Sequence, residues 1–256
     1  MRAVFILMLM LVGGPATIPA LAQAPPRLIA DLSQSRIDIV YSFAGAELLV
    51  FGAIQYPGGI TPDERPDIAI VVRGPPQAIT VRQKAQIFGL WLNTDAVRFE
   101  TAPSFYRAAS TRPIPDLVDE RTAAIFELGP DYLQLSPTGQ ASAEMIGRFE
   151  TGLLENWRAE GLYGADPNGV DLVEKILYRA RIDLPSKVPV GNYTVEIHLI
   201  EDGEILSSTT RTIEVGKSGF ERAVYTAAQD QGFFYGLLAV SLALILGWAA
   251  SVVVRR

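Results

Sequence analysis

The feature that most constrains this chain lies at its end. A run without any charged residue begins at Phe233 and continues to Val254, and Arg255 and Arg256 follow it. As an α-helix, which rises about 1.5 Å per residue, this run would be about 33 Å long, enough to cross a hydrocarbon core of about 30 Å. We therefore predict one transmembrane helix over residues 233–254, with a cytoplasmic tail at residues 255–256.

The chain begins with a shorter apolar stretch of a different kind. Arg2 gives a positive start, Val4 to Val12 form an apolar core, and small residues follow at Ala20–Ala22. This order predicts a secretory signal peptide over residues 1–22, cleaved after Ala22 or Ala24. An uncleaved anchor is the alternative, although Gly13–Pro15 shortens the apolar run. Export followed by a stop predicts an inner-membrane, single-pass protein whose N-terminal domain lies in the periplasm and whose C-terminus is cytoplasmic, in line with the positive-inside rule.

Charge and cysteine content narrow the function classes. The chain has 28 acidic and 22 basic residues, and three of the basic ones are Arg2, Arg255 and Arg256. The exported part between the signal peptide and the span, residues 23–232, therefore carries a charge of about −9, which repels phosphate backbones and disfavours adsorption to anionic membranes. The chain has no cysteine, which excludes disulfides, thiolate metal sites and covalent haem attachment.

The first part of the exported region has the patterns of β-strands. Alternation of apolar and polar residues predicts strands at Arg36–Tyr41, Asp67–Arg73 and Ala96–Thr101. Glu47–Ile54 is more continuously apolar, which predicts a strand buried on both faces.

Residues 114–178 change to a helical period. Asp116 is placed to cap a helix over Leu117–Leu128, and Asp166–Pro167 has the N-cap and N1 pattern of a second helix. Between them an apolar stripe at helical spacing is formed by Ile146, Phe149, Leu153, Leu154 and Trp157.

Strands return after this block. Tyr193 to Ile200 alternates, Glu201–Gly203 turns the chain, and the strand Ile205–Val215 follows. The approach to Tyr193 is typical of a late sandwich strand in which a tyrosine hydroxyl fixes the corner. We therefore predict a mainly β fold, an immunoglobulin-like β-sandwich over residues 23–217 with a helical insertion at about 114–178, over the alternative of two separate domains. Ser218–Glu221 forms a capping box that predicts a juxtamembrane helix over residues 218–232.

The predicted span carries a row of small residues. They are four positions apart: Ala239, Ala243, Gly247 and Ser251. Small residues let a second helix approach closely, so the row predicts a helix-packing face; a simple anchor is the alternative.

Signals for catalysis or for a cofactor are sparse. His198 is the single histidine, no G-x-S-x-G motif is present, and we interpret His198 as a solvated strand residue. The segment Asp166–Asp171 departs from a calcium loop in its glycine position, which favours a helix cap and turn. Asp63, Glu64 and Asp67 have ligands suited to a hard cation, although such acidic loops are usually solvated. We predict no catalytic, cofactor-binding or metal-binding residue, and a protein that is not an enzyme.

Two aromatic stretches stand out. They are Phe88–Asn93 and Pro103–Tyr106, and each combines bulky side chains with Gly or Pro. Such residues belong more often to a sandwich core than to a binding surface, so we predict core positions for both.

Several short motifs, in this order and spacing, resemble the alphaproteobacterial putative transmembrane protein family (Alph_Pro_TM). They are Tyr41–Leu48, Val71–Pro75, Gly89–Asn93, Pro103–Tyr106, Gly161–Tyr163, Pro189–Tyr193 and the Tyr235–Gly236 start of the span. The resemblance covers residues 28–256. It implies an exported, once-anchored protein of a family with no established activity, site residue or cofactor, whose genes often neighbour those of sulfite-exporter-type permeases.

These observations leave function hypotheses of different classes. The first is a non-enzymatic accessory subunit of a multispanning membrane partner, such as a sulfite-exporter-type anion permease. The alternative is a stand-alone, membrane-anchored periplasmic domain that binds a ligand or acts as a sensor. A hydrolase with unrecognised residues is the third. The lipid bilayer, and either a membrane protein or a second copy of the chain, are the expected partners; nucleic acid is not.

Overall fold

The computed structural model describes residues 25–39, 45–59, 61–217, 225 and 228–254, without the side chains of residues 39, 217, 249 and 251–254. The predicted signal peptide, the capping box at residues 218–221 and the tail at residues 255–256 lie outside the described residues.

Two β-sheets form the body of the described chain. The four-stranded sheet has the spatial order β1 (Arg27–Leu32), β3 (Ala46–Gln55), β11 (Leu177–Leu184) and β10 (Val170–Val173). The six-stranded sheet has the order β2 (Arg36–Ile39), β13 (Glu204–Lys217), β12 (Gly191–Glu201), β4 (Asp67–Arg73), β7 (Tyr106–Ser110) and β9 (Tyr163–Asp166). Neighbouring strands are antiparallel, except that β13 runs parallel to β2 and β7 parallel to β9.

The two sheets enclose one hydrophobic core. Leu48, Val50 and Ile182 of the four-stranded sheet belong to the same buried cluster as Ile70 and Val195 of the six-stranded sheet. The prediction of a mainly β fold is therefore confirmed. The immunoglobulin-like character of the sandwich, and its formation of one domain rather than two, stay predictions.

The strand buried on both faces is β4, and β3 is not such a strand. Every residue of β4 from Asp67 to Val72 is buried, because one face packs on the core and the other is covered by the segment after β7. In β3 only one face is buried, and Phe51 on the other face is exposed. The prediction of a two-sided burial for Glu47–Ile54 is wrong; its apolar outward residues are tolerated at the surface.

Helices occur within the predicted block, but they end at Ala159, and two short helices stand in place of the predicted helix over Leu117–Leu128. The helices of this block are α1 (Ile114–Leu117), α2 (Glu120–Ile125) and α3 (Ala143–Ala159). Asp119, and not the predicted Asp116, caps α2, because its carboxylate accepts a 2.8 Å hydrogen bond from the backbone N–H of Thr122. The stripe of α3 is confirmed: Phe149, Leu153 and Trp157 are buried against the sandwich.

The predicted helix after Asp166 is wrong. Residues 163–184 form the strands β9, β10 and β11, and the Asp166 carboxylate accepts from the Asn168 backbone N–H in a turn between β9 and β10. Val170 and Leu172 are buried while Asp171 and Val173 are exposed, which is the period of two of a strand. Over so short a segment the spacing of apolar residues also fits a helix, so the sequence pattern alone does not decide between the two. Within the predicted insertion at about 114–178, helices therefore occur only as far as Ala159.

A long β-hairpin extends from the sandwich. Its strands are β5 (Pro76–Ile87) and β6 (Leu90–Pro103), and the short strand β8 (Pro137–Thr138) pairs with the base of β6. Val97, Phe99 and Ala102 near the base are buried, whereas every residue from Leu90 to Ala96 is exposed. The prediction of core positions is therefore right for Pro103–Tyr106, where Phe105 and Tyr106 are buried, and wrong for Phe88–Asn93.

The last helix is α4 (Gly232–Val254), which has 23 residues and no charged side chain. Its side chains are described as far as Trp248 and again at Ala250. Over the described residues, no helix meets the length and hydropathy required of a membrane span.

Tyr193 fixes the start of β12 in the predicted way. Its hydroxyl donates a 2.6 Å hydrogen bond to the backbone carbonyl of Pro189, four residues earlier. Burial raises the pKa of Tyr193 to about 12, so the hydroxyl stays protonated as a donor.

We predict that Tyr193→Phe lowers the free energy of unfolding by about 1–2 kcal/mol, because the part-buried Pro189 carbonyl loses its donor. Chemical denaturation of the full chain in detergent measures this difference. Tyr132→Phe is the control, since the Tyr132 hydroxyl makes no hydrogen bond to a described residue, and it should change stability by less than about 0.5 kcal/mol. Equal effects of the two variants would contradict the role of Tyr193.

Candidate functional site

A cluster of polar side chains lies on the outer face of the six-stranded sheet. Strand register brings Arg73 of β4, Glu196 and His198 of β12, and Ser208 of β13 to this face, and Glu127 reaches it from the connection after α2. We call these five residues the Arg73 cluster. The connection that holds Phe126 and Glu127 covers this face in part: His198 is buried, Arg73, Glu127 and Glu196 are half-buried, and Ser208 is exposed.

Arg73 is the centre of the cluster. Its Nη1 lies 2.9 Å from Glu196 Oε1, and its Nη2 lies 3.4 Å from Glu127 Oε2. Nη2 also donates a 3.1 Å hydrogen bond to the Phe126 carbonyl. One guanidinium therefore joins the sheet to its cover through two carboxylates and a backbone group.

His198 is buried, so the prediction of a solvated histidine is wrong. Its side chain is 4% exposed, its Nδ1 lies 2.8 Å from Ser208 Oγ, and the Phe126 ring packs edge-on at 5.4 Å. The predicted alternation placed His198 correctly on the face away from the core. The outer face is itself covered, which a period of two along one strand does not reveal.

Tyr106 of β7 holds the covering connection in place. Its hydroxyl donates to the Glu127 carbonyl and accepts a 2.7 Å hydrogen bond from the Gly129 backbone N–H. Glu127 adopts a positive φ of 48°, a conformation that non-glycine residues rarely take. Burial raises the pKa of Tyr106, which keeps the hydroxyl protonated.

The environment of Glu196 favours its charged form. The imidazole of His198, with Nε2 at 3.7 Å from Glu196 Oε2, lowers the pKa of the Glu196 carboxyl most, burial opposes this, and the Arg73 guanidinium lowers it further. Hence the pKa of Glu196 lies below its ordinary value, and the cluster contains a carboxylate rather than a carboxylic acid near neutral pH.

Ser208, His198 and Glu196 are the residue types of a Ser–His–acid triad, but their arrangement differs from one. In a triad the imidazole faces the serine through one nitrogen and a hydrogen-bonded acid through the other. Here His198 Nε2 makes no hydrogen bond to any described residue, and the acid lies at 3.7 Å. We interpret the Arg73 cluster as an ion-pair network that fixes the cover to the sheet.

Asp67, one of the acidic residues considered as a cation ligand, is engaged in hydrogen bonds within the fold. Asp67 is buried, and its carboxylate accepts hydrogen bonds from Thr111 Oγ1 at 2.6 Å and from the Arg112 guanidinium. No group of three or more His, Asp or Glu residues suited to a metal ion occurs in the described part of the chain. A cleft of about 450 Å³ opens beside Asp67 and Arg112, and its wall includes Asp116, Asp119 and Asp202.

The predicted helix-packing residues lie on α4. Ala239 and Ala243 are exposed, and a Cβ added at Gly247 would meet no atom within 4 Å. Larger side chains at these positions would therefore not clash with the described fold. The side chain of Ser251 lies outside the described residues.

Sequence reasoning missed Arg73, Glu127, Glu196 and Ser208. The sequence does indicate one contact of the cluster. Residues two apart on a strand share a face, so Glu196 and His198 are expected to lie side by side. The partners on β4 and on the cover come from distant parts of the sequence, and no local pattern pairs them.

We predict that His198→Ala lowers the free energy of unfolding by about 2 kcal/mol, because a buried ring is lost against Phe126 and Glu196. Thermal or urea unfolding measures the change. Thr210→Ala on β13 is the control, since Thr210 is exposed and should cost less than about 0.5 kcal/mol. A change in His198→Ala as small as that of the control would contradict the buried role.

We further predict that Glu196 contributes stability that depends on pH. Its pKa is depressed in the folded state, so its contribution is present above the unfolded value and is lost as pH falls through the folded one. The difference in unfolding free energy between wild type and Glu196→Gln should therefore shrink as pH is lowered from about 6 to about 3. A difference independent of pH would show that the charge of Glu196 is not involved.

Comparison with known proteins identifies the family of the chain. No curated protein sequence matches the chain. Among solved structures, the sporulation control protein Spo0M from Bacillus subtilis matches over 81% of this chain and 56% of its own, at 10% identity and a TM-score of 0.28. The family model described as Putative transmembrane protein (Alph_Pro_TM) matches residues 27–256. The resemblance found in the sequence motifs is thereby confirmed, and the chain belongs to this family of putative transmembrane proteins.

Proposed function

We propose that this protein is a non-enzymatic accessory subunit of a multispanning membrane protein. In this proposal the immunoglobulin-like sandwich lies in the periplasm, helix α4 anchors it in the inner membrane, and the C-terminus is cytoplasmic. A sulfite-exporter-type anion permease is the partner that we propose, on the basis of the family resemblance.

Helix α4 carries this proposal. It is 23 residues long and uncharged, and Ala239, Ala243 and Gly247 recur every four residues along it. Lipid tails are as apolar as leucine, so a helix gains little from burying large side chains in a partner; it gains from close backbone contact, which small residues permit. A helix that served only as an anchor would have no need of such a row.

The open space around Gly247 makes the proposal testable by substitution. Since an added Cβ meets nothing within 4 Å, a leucine at this position clashes with no described part of the same chain. Any loss of association then arises from the partner helix. Leu238 and Leu242, one position before Ala239 and Ala243, provide exposed sites for a matched change.

We predict that Ala243→Leu/Gly247→Leu inserts normally but recovers at least about tenfold less partner in a mild-detergent pull-down, which corresponds to about 1.4 kcal/mol or more of lost association free energy. Leu238→Ile/Leu242→Ile is the control and should retain the partner, because the volume is conserved. Equal recovery in both variants would remove the support for a packed helix.

The cleft beside Asp67 and Arg112 favours a second candidate function. Its volume of about 450 Å³ lies in the range of small-molecule sites, and its lining combines Arg65 and Arg112 with several carboxylates. A stand-alone, membrane-anchored domain that binds a small ligand in this cleft would purify without a stoichiometric membrane partner. The same pull-down therefore separates the two candidates.

A further inference from the structure

The far end of the β5–β6 hairpin carries an apolar surface that the described fold leaves exposed. We define the hairpin tip as residues 82–94. Helix α3 supports the hairpin as far as Val81–Gln83, where Arg148 and Phe149 line a shared groove. From there the strands continue to the turn at Phe88, roughly 17 Å at about 3.3 Å per residue. A two-stranded extension of this kind is only marginally stable in water by itself.

One face of the hairpin tip is apolar. Ile87 pairs with Leu90 and Ala85 pairs with Leu92 across the two strands, and alternation puts all four side chains on the same side. Ile87 is 40%, Leu90 66% and Leu92 46% exposed. Burial of this face therefore has to come from outside the described chain.

The opposite face carries the basic residues. Arg82, Lys84 and Gln86 alternate along β5 and share this side, and Trp91, 68% exposed, pairs with Gln86. Asp95 is the one acidic residue between Arg82 and Arg98. The hairpin tip is thus locally basic, although the exported region as a whole is acidic.

The residue at the apex is unsuited to its backbone conformation. Phe88 and Gly89 both have positive φ, at 50° and 82°, the pattern of a hairpin turn that normally contains Asn-Gly or Gly-Gly. Phe88 is fully exposed, so its ring makes no compensating contact within the described fold. A strained, exposed aromatic residue at an apex indicates a contact made elsewhere.

The distribution of charge indicates which kind of surface the hairpin tip contacts. An element with Leu, Ile and Phe on one side and Lys and Arg on the other lies in the boundary between headgroups and acyl chains, and Trp favours the same depth. Basic residues gain energy at an anionic lipid surface, whereas the acidic remainder of the ectodomain is repelled by it. The bilayer would therefore attract the hairpin tip and little else of this domain.

We propose that the hairpin tip inserts into the interfacial region of an anionic lipid bilayer, with Phe88, Leu90 and Ile87 among the acyl chains and Arg82 and Lys84 at the headgroups. The ectodomain then contacts the membrane at a second point besides helix α4. This proposal goes beyond the accessory role and does not require a protein partner.

Tryptophan fluorescence tests the proposal in the full chain. The chain has three tryptophans; Trp157 is buried against Tyr163, and Trp248→Phe removes the one on α4. This variant is reconstituted in vesicles of phosphatidylethanolamine and phosphatidylglycerol whose acyl chains are brominated near the headgroup. We expect the bromine atoms to quench part of the emission, and we expect that quenching to vanish when Trp91→Phe is added.

Two paired variants test the two faces. Phe88→Ser/Leu90→Ser should abolish most of the quenching with an unchanged unfolding midpoint, since both side chains are exposed. Arg82→Gln/Lys84→Gln should reduce the quenching in phosphatidylglycerol vesicles. Arg179→Gln/Arg181→Gln on β11 removes the same charge from another exposed site and should leave the quenching unchanged.

Three results would overturn the proposal. One is an absence of Trp91 quenching in these vesicles. Another is quenching that neither tip variant reduces. The last is Trp91 emission that shifts to the blue only when another protein co-purifies, which would make the hairpin tip a protein-docking element. The pull-down with the α4 variants reports on the accessory role separately, so the two proposals can fail independently.

Discussion

The rest of the structure depends on the burial of β4 and β12 on both faces. One face of these strands builds the sandwich core, and the other lies beneath the segment from α1 to Gly129, whose Leu117, Ala123 and Leu128 are buried. A sheet face covered in this way has only limited access to water, so charges on it are stabilised by partners. Arg73 has such partners in Glu196 and Glu127, and it thereby ties the cover to the sheet. Loss of one of these charges would leave another half-buried with one partner fewer, which destabilises the contact between the cover and the sheet.

Tyrosine hydroxyls fix the connections in a chain that lacks disulfides. Four tyrosines are among the largest fully buried side chains, and each donates to a backbone carbonyl: Tyr106 to Glu127, Tyr163 to Pro103, Tyr178 to Ile29 and Tyr193 to Pro189. Burial raises the pKa of each, which keeps the donor protonated. The Tyr178 bond also explains a glycine in the middle of β3: a Cβ at Gly52 would collide with both the Tyr178 hydroxyl and the Ile29 carbonyl. The bond from Tyr163 to Pro103 holds the base of the long hairpin.

The features that the sequence predicts well are those set by neighbouring residues. The stripe of α3, the corner at Tyr193 and the strands β4 and β12 follow from periodicity and turn residues within about ten positions. The errors arise where distant segments decide the environment. The alternation of β12 gives the outward face of His198, but the cover over that face comes from residues about 70 positions earlier in the chain. Residues 170–177 fit a helical period as well as a strand period, and pairing with β11 decides between them.

The misplaced aromatic stretch shows a different kind of limit. Composition predicts that Phe88 to Leu92 belongs to a core, because apolar residues are mostly buried. Within the described part of the chain these residues are exposed, and the groove between the hairpin and α3 is lined by Val81–Gln83 further down β5. Exposure of these apolar side chains to water therefore destabilises the end of the hairpin. Substitution of Phe88 by a polar residue would remove an exposed apolar side chain without loss of any described contact. The proposed insertion into an anionic bilayer would give these apolar side chains a contact outside the described fold, and the adjacent Arg82 and Lys84 match a negatively charged surface.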